Sequence, residues 1–453
     1  MSEIYIPLIC NPYKTYKRRF SEINKMNRNW IEIEFIYHNV GHGLFYSGEI
    51  KLQNNTTFRF IYDCGSKNVR LVSTSILRYK EDFGDDDINL LIISHLHSDH
   101  VSGLEELFNN FTIKDVILPY FSPIERLLIA LRRIDMPLWY YEFLSDPVKY
   151  LIEKGVERVI IIDGGGSGER GIPPEEIPPF TLKDGFDISK LPDNEKLSKK
   201  IHINEKNWKQ FIENGKLLTK DHDGYALALS LWIFRFFNYK ILPSKLKNFE
   251  YCLRNQGLDV NDSENIKKII INRKLLKRLK KCYEALIEYL QNDFNNTSLV
   301  LYHGPVGKLN VEAYFLYLNP SYIYYHCPFY ILCRYRFDCS IAFFKYKCDR
   351  FGQLLTGDIN LNMRYNELKR HYISYLKNVL IVQVPHHGAK KNWNKNMIKD
   401  FPNGKFWIIS SGFNNRYGHP SYIVIEDIVS NSKCKCIWVN EINHMRVKGI
   451  VVW

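Results

Sequence analysis

A chain of 453 residues with 45% apolar and 25% charged side chains has the composition of a folded protein with a substantial core, which excludes a disordered or fibrous chain. Its net charge of +13 points toward a polyanionic partner, nucleic acid or a membrane surface. No apolar run of about 18 residues is present to span a bilayer. The first apolar stretch, Ile4 to Cys10, is too short for a secretory signal and ends at Pro12; the ten scattered cysteines are therefore expected to be reduced, in a cytoplasmic protein.

Residues 1–30 read as an N-terminal extension. Ile31, Ile33, Phe35 and Tyr37 then alternate at period two, as in a half-buried strand. The turn Val40-Gly41-His42-Gly43 follows. Strands at 44–52 and 58–62, separated by Asn54-Asn55, complete an antiparallel opening. Residues 89–94 form a short apolar strand that runs into His95-Leu96-His97-Ser98-Asp99-His100. A helix is expected from Gly103 and a strand at 113–119, an order that suggests layered α/β architecture.

Residues 124–160 read as helical before a strand at 157–162. Gly164 to Gly168 lacks the Lys-Ser/Thr pair of a phosphate-binding loop and reads as a turn, and the prolines between 171 and 185 mark an irregular linker. From 186 to 294 the pattern is that of an inserted, partly helical and basic segment. Ile266, Ile269, Ile270, Leu276, Leu279 and Tyr283 line one helical face. The opposite face carries Lys267, Lys274, Lys277, Arg278 and Lys281, either a solvated surface or a contact for phosphates. Strands resume at Thr297, pass through a Tyr-rich stretch (313–346), and reach Gln353 to Asp358. A helix is predicted at 361–377, strands at 379–384 and 405–410, and two closing strands up to Trp453. Cys434-Lys435-Cys436 has no second pair at zinc-finger spacing and reads as strand.

The chemistry concentrates at strand ends. Three imidazoles and a carboxylate in His95 to His100 are the donors that a borderline divalent cation takes. Asp358 ends an apolar strand after Gly357; alone it reads as a helix cap, but beside the first cluster it reads as a carboxylate bridging two cations. His386-His387-Gly388 ends another strand, and one of the two histidines should complete the second metal. His419, in Tyr417-Gly418-His419-Pro420, ends a further loop at the same sheet edge, as general acid, phosphate contact or extra ligand. Asp63 is placed to orient a liganding histidine. His303, which follows a strand, is a weaker candidate for a metal ligand.

With Val40 to Gly43, Ile61 to Gly65, Ile93 to His100, Asn295 to Val300, Leu354 to Asp358, Val384 to Gly388 and Ser411 to Pro420 in order, the chain resembles the metallo-β-lactamase superfamily. Within it, the chain resembles the soluble ComEC-like domain associated with DNA uptake. The resemblance implies a four-layer αβ/βα sandwich with a large, mainly helical insertion: core halves at 31–120 and 295–453 around the insertion at 121–294. It implies that His95 and His97 hold one cation, Asp99 and His100 the other, and that Asp358 bridges them. His387 matches the last ligand best and His386 is the alternative. Two positions depart from the superfamily. Asn295-Asn296 stands where a third histidine for the first cation is common, which makes manganese a competitor to zinc. His42 stands where relatives usually carry glutamine and is placed to contact substrate; Tyr417 is a further candidate for supporting the ligands or contacting substrate.

The leading expectation is a phosphodiesterase or nuclease acting on DNA, in which a water activated by two divalent metal ions, Zn or Mn, attacks phosphorus. Asp99 and His419 are the candidate catalytic residues, and Lys274, Lys277, Arg278 and Lys281 the candidate backbone contacts. The alternatives are a hydrolase of a small substrate such as a cyclic or signalling nucleotide, and a metal-stabilised module in a larger, anti-phage assembly with a protein partner docked on the insertion.

Overall fold

The structure is a computed structural model that describes residues 4–5, 29–164, 205–221, 226–229, 232–240, 243–284, 295–305, 310–318, 341–413 and 415–452. The expected turn after Gly164, the proline-rich linker, residues 285–294, much of the Tyr-rich stretch, Asn414 and Trp453 lie outside the described residues, as do His202, His222 and His326.

The strands in chain order are β1 (Ile4–Tyr5), β2 (Trp30–Tyr37), β3 (Gly43–Leu52), β4 (Thr57–Ser66), β5 (Ile88–Ile92), β6 (Ile113–Pro119), β7 (Arg158–Asp163), β8 (Leu217–Asp221) and β9 (Ala226–Leu229). They continue with β10 (Trp232–Phe237), β11 (Val300–Pro305), β12 (Asn310–Leu318), β13 (Ile341–Cys348), β14 (Gly352–Leu355), β15 (Val379–Gln383), β16 (Phe406–Ser410), β17 (Lys435–Val439) and β18 (Met445–Val452). One sheet has the order β1-β13-β12-β18-β2-β3-β4-β5-β6-β7-β8, and the other β17-β16-β15-β14-β11-β10-β9. Antiparallel pairing runs from β1 to β4, and parallel pairing from β4 to β8.

Three apolar clusters define four layers. Phe35, Phe60, Ile92, Phe234, Leu301 and Ile381 belong to the core between the sheets. Val72, Leu104, Leu127 and Tyr140 pack helices on the outside of the larger sheet, and Leu361, Leu368, Val424 and Ile428 pack helices on the outside of the smaller one. The four-layer α/β sandwich expected of the sequence is present. The parallel strands β5, β6, β14, β15 and β16 read as near-continuous apolar runs because both faces are buried.

The segment 121–294 does more than carry helices. It adds β7 and β8 to the larger sheet and β9 and β10 to the smaller one. The single helical stretch expected over 124–160 is three helices, Pro123–Arg132, Leu138–Ser145 and Pro147–Glu153. Pro137 and Pro147 divide them, since proline supplies no amide hydrogen to continue a helix. Asn272 likewise splits the basic region into Ser263–Ile271 and Arg273–Glu284, its side chain accepting from the amides of Lys274 and Leu275.

Two expectations are corrected here. Lys267 does not lie on the solvated face: it is buried, and its Nζ contacts Asp146 (2.9 Å), Glu205 (3.2 Å) and Glu264 (3.0 Å). Arg126, also buried, reaches Glu205 (2.7 Å) and closes the same network. Nor are all cysteines reduced. Cys252 and Cys282, 30 residues apart, form a disulfide because the helices Pro243–Asn255 and Arg273–Glu284 pack with those Cα atoms 5.8 Å apart. Cys64, Cys348, Cys434 and Cys436 are free.

Candidate metal centre

Five segments converge at one edge of the sandwich. At the end of β4, Asp63 adopts φ 55° and is fully buried. Its Oδ1 accepts from the Ser94 amide (2.6 Å), and its Oδ2 accepts from Ser94 Oγ (2.6 Å) and from His100 Nδ1 (2.7 Å). The proton of His100 is thereby fixed on Nδ1, and Nε2 is turned inward, 3.2 Å from Asp358 Oδ1. A Cβ on Gly65 would sit 2.5 Å from His100 N, so the bare glycine lets the short helix Ser98–Val101 rest on the strand end.

Between β5 and that helix, His95 and His97 face each other, Nε2 to Nδ1, at 3.0 Å. His95 Nε2 also lies 3.7 Å from Asp358 Oδ2. Asp358 follows β14 through Gly357, which at φ 54° packs against Ser94, Ser298 and Tyr62. After β15, His386, His387 and Gly388 all take positive φ (45°, 55° and 80°). Successive left-handed residues are costly for non-glycine side chains, and here they turn two adjacent imidazoles toward one carboxylate. His387 Nδ1 donates to Ser410 O (2.7 Å), leaving Nε2 3.7 Å from Asp99 Oδ2 and 3.8 Å from Asp358 Oδ1. His386 Nε2 lies 3.7 Å from Asp358 Oδ2, and its Nδ1 lies 3.1 Å from the Asn295 amide.

The two oxygens of Asp358 therefore face different imidazoles: Oδ2 faces His95 and His386, and Oδ1 faces His100 and His387. Three triads have donor atoms within 4.8 Å of one another: His95, His97 and Asp358; His100, Asp358 and His387; and His42, Asp99 and His387. His42 Nδ1, His100 Nε2, His387 Nε2 and Asp358 Oδ1 are buried without hydrogen-bond partners. Each such atom left unpaired costs about 1–3 kcal/mol. Nitrogen and carboxylate donors in this state fit divalent cations of the zinc or manganese type.

The charge balance agrees. Burial alone would raise the Asp99 carboxyl, but Lys67 (Nζ 3.0 Å from Oδ2) and His387 hold it well below the usual range. Asp358 is likewise held low against burial by His386, His100 and His387. Burial opposes charge on His100, yet Asp358 and Asp63 hold its imidazole well above the usual value. These are buried carboxylates that stay ionised and demand positive charge.

Of the remaining expected residues, His419 and Tyr417 stand at the mouth. The His419 ring is 5.7 Å from His386, and burial, then His386 and His387, push it down to about 4. Its place at the mouth leaves the three expected roles, general acid, phosphate contact or extra ligand, all open to it. Tyr417 is 57% exposed and stacks on His42 (5.4 Å) and His419 (5.9 Å). Asn296 does not face the site: its Oδ1 accepts from Asn360 N, at the start of the helix Leu361–His371. His303 is in the core, enclosed by Phe35, Phe60, Trp232 and Phe234 and bonded to Tyr46, where burial pushes it down to about 3. It is no metal ligand. Lys274, Lys277, Arg278 and Lys281 are exposed on Arg273–Glu284, which packs on Pro123–Arg132.

Sequence reasoning missed two cations. Lys67 sits on Asp99, and Arg132 Nη1 lies 3.0 Å from His97 Nε2 and 3.3 Å from Nδ1. Lys67 lies four residues beyond Asp63, a signal available in the sequence; Arg132, in a segment the resemblance does not cover, had none.

The model of the metallo-β-lactamase superfamily matches residues 51–123 of the chain. No curated protein matches the chain. Among solved structures it is similar to the crystal structure of a long form RNase Z from yeast, at 7% identity and a TM-score of 0.30, over 84% of this chain and 37% of that one. The chain thus spans little more than a third of that protein, and so distant a likeness transfers no activity. No helix among the described residues is long and apolar enough to cross a membrane.

Proposed function

We propose that this chain is a two-cation phosphodiesterase acting on nucleic acid, with DNA the first candidate. The observation that carries the reading is the single buried carboxylate of Asp358 presenting each oxygen to a different set of imidazoles. In this assignment His95, His97 and Asp358 hold one cation, with His386 beside them, and Asp99, His100, His387 and Asp358 hold the other. Both histidines of the 385–388 turn are used, one on each side. Two divalent cations in such a pair neutralise phosphate charge and make water nucleophilic near neutral pH.

The chain's own residues do the rest. Asp63 keeps the His100 proton on Nδ1, and Ser410 O keeps the His387 proton on Nδ1. Arg132 and Lys67 offer charged donors to a phosphate at the mouth. Neutral His419 hydrogen-bonds an oxygen of the scissile group, and the exposed face of Tyr417 takes an unpaired base by stacking. The net charge of +13 and the exposed basic helix support a polymer over a small ester, and the order of motifs shared with the ComEC-like branch supports DNA.

The test offers single- and double-stranded DNA, RNA and cyclic nucleotides to purified protein with manganese, magnesium or zinc, alongside Asp99→Ala. Cleavage is expected to vanish on chelation and in the variant. Cleavage that survives both would sink the reading.

A further inference from the structure

We infer that His42 is an additional ligand of the second cation, the one assigned above to Asp99, His100 and His387; the inference rests on that two-cation reading.

His42 lies in the turn between β2 and β3, and its backbone is clamped from three sides. A Cβ on the neighbouring Gly43 would come within 2.3 Å of Gly65 O and 2.7 Å of Asp99 O, so the turn rests directly on the segment that carries Asp99. The Lys67 amide donates to His42 O (2.8 Å). A Cβ on Gly412 would meet His42 N at 2.9 Å. The side chain is 8% exposed and its Nδ1 is buried without a hydrogen-bond partner. Its ring centroid is 4.2 Å from that of His387, and a ring nitrogen of His42, a carboxylate oxygen of Asp99 and a ring nitrogen of His387 all lie within 4.8 Å of one another. A clamped, buried imidazole with an unpaired nitrogen beside two donors already assigned to a cation has the position of a third donor.

Ring stacking on Tyr417 and His419 accounts for the ring plane and leaves the orphan nitrogen unexplained. Coordination explains both. The chemical consequence is selectivity. With His42 the second cation has three imidazoles, which suits zinc; an oxygen-donating side chain in that place would suit manganese better.

The experiment measures zinc and manganese binding to the metal-free full chain by competition with a chromophoric chelator, for wild type and His42→Gln. Wild type is expected to take two zinc ions. The variant is expected to hold one of them as before and the other at least about tenfold more weakly, the lower end of what loss of even an outer partner of a ligand costs, and to gain in relative preference for manganese. Unchanged constants for both ions in a folded variant overturn the inference. A wild type that takes up no cation overturns the two-cation reading instead. Should the variant not fold, a crystal of the cobalt-loaded wild type decides. An anomalous peak about 2.0–2.2 Å from a His42 nitrogen supports coordination, and a peak on Asp99 and His387 without His42 overturns it.

Discussion

At the residue scale, Asp63 shows how much of a candidate metal site lies outside the donor atoms that face it. It touches no expected cation position, yet all its bonds go to Ser94 and His100. It sets the His100 tautomer and stitches β4 to the loop after β5. Asp63→Asn keeps the shape but replaces an anion that accepts from three donors by a neutral amide. The expected outcome is a 10- to 100-fold loss of affinity for the cation held by His100, read by chelator competition, with the fold retained in circular dichroism. Arg132 belongs to the same scale. Its guanidinium lies against His97. Arg132→Ala is expected to raise KM for a nucleic-acid substrate about tenfold or more, the order of ~1.5–3 kcal/mol for a hydrogen bond to a charged group. Two equivalents of bound cation should remain. Loss of a cation in that variant would make Arg132 a support of His97 rather than a contact for phosphate.

At the element scale, the segment 121–294 is tied to itself by a buried ionic network. Lys267, on Ser263–Ile271, meets Asp146, which caps Pro147–Glu153, and Glu205; Arg126, on Pro123–Arg132, meets the same Glu205. Trp208 Nε1 also donates to Asp146 (2.8 Å). Such a network has a large desolvation cost, and removing one partner strands the others. Lys267→Ala is expected to destabilise the protein by about 3–5 kcal/mol in denaturant unfolding, and Lys267→Met by less. Equal losses in both variants would show that the stranded carboxylates, not the packing of the side chain, set the cost. Because Arg132 ends one of the pinned helices, loosening them reaches the mouth of the site.

At the scale of the whole molecule, Arg59, Arg126, Arg158, Lys267 and Lys448 are matched by carboxylate partners, and the net +13 is the excess of cations over all carboxylates. The exposed Lys274, Lys277, Arg278 and Lys281 stay available to a polyanion. Substituting these four by alanine is expected to flatten the dependence of log K for DNA on log salt by up to about 3.6, at ~0.9 per phosphate contact. An unchanged slope would return this face to ordinary solvation.

The sequence by itself determined the metal-binding vocabulary and the sheet core. Imidazoles and carboxylates crowded at strand ends are costly unless they bind something, and period-two alternation and short apolar strands leave a strong local pattern in 31–62 and 379–410. It did not determine which partner each atom meets. That His386 and His387 face opposite oxygens of Asp358 depends on three consecutive positive φ values in one turn. The places of Asn296 in a helix cap, Lys267 in a buried network and His303 among aromatic rings depend on elements far apart in the chain. The same holds for β7 to β10, whose sheet membership is decided by pairing with remote neighbours. Local periodicity records which side of an element is buried; the identity of what lies opposite is a long-range packing outcome, fixed only when the two sheets close on each other.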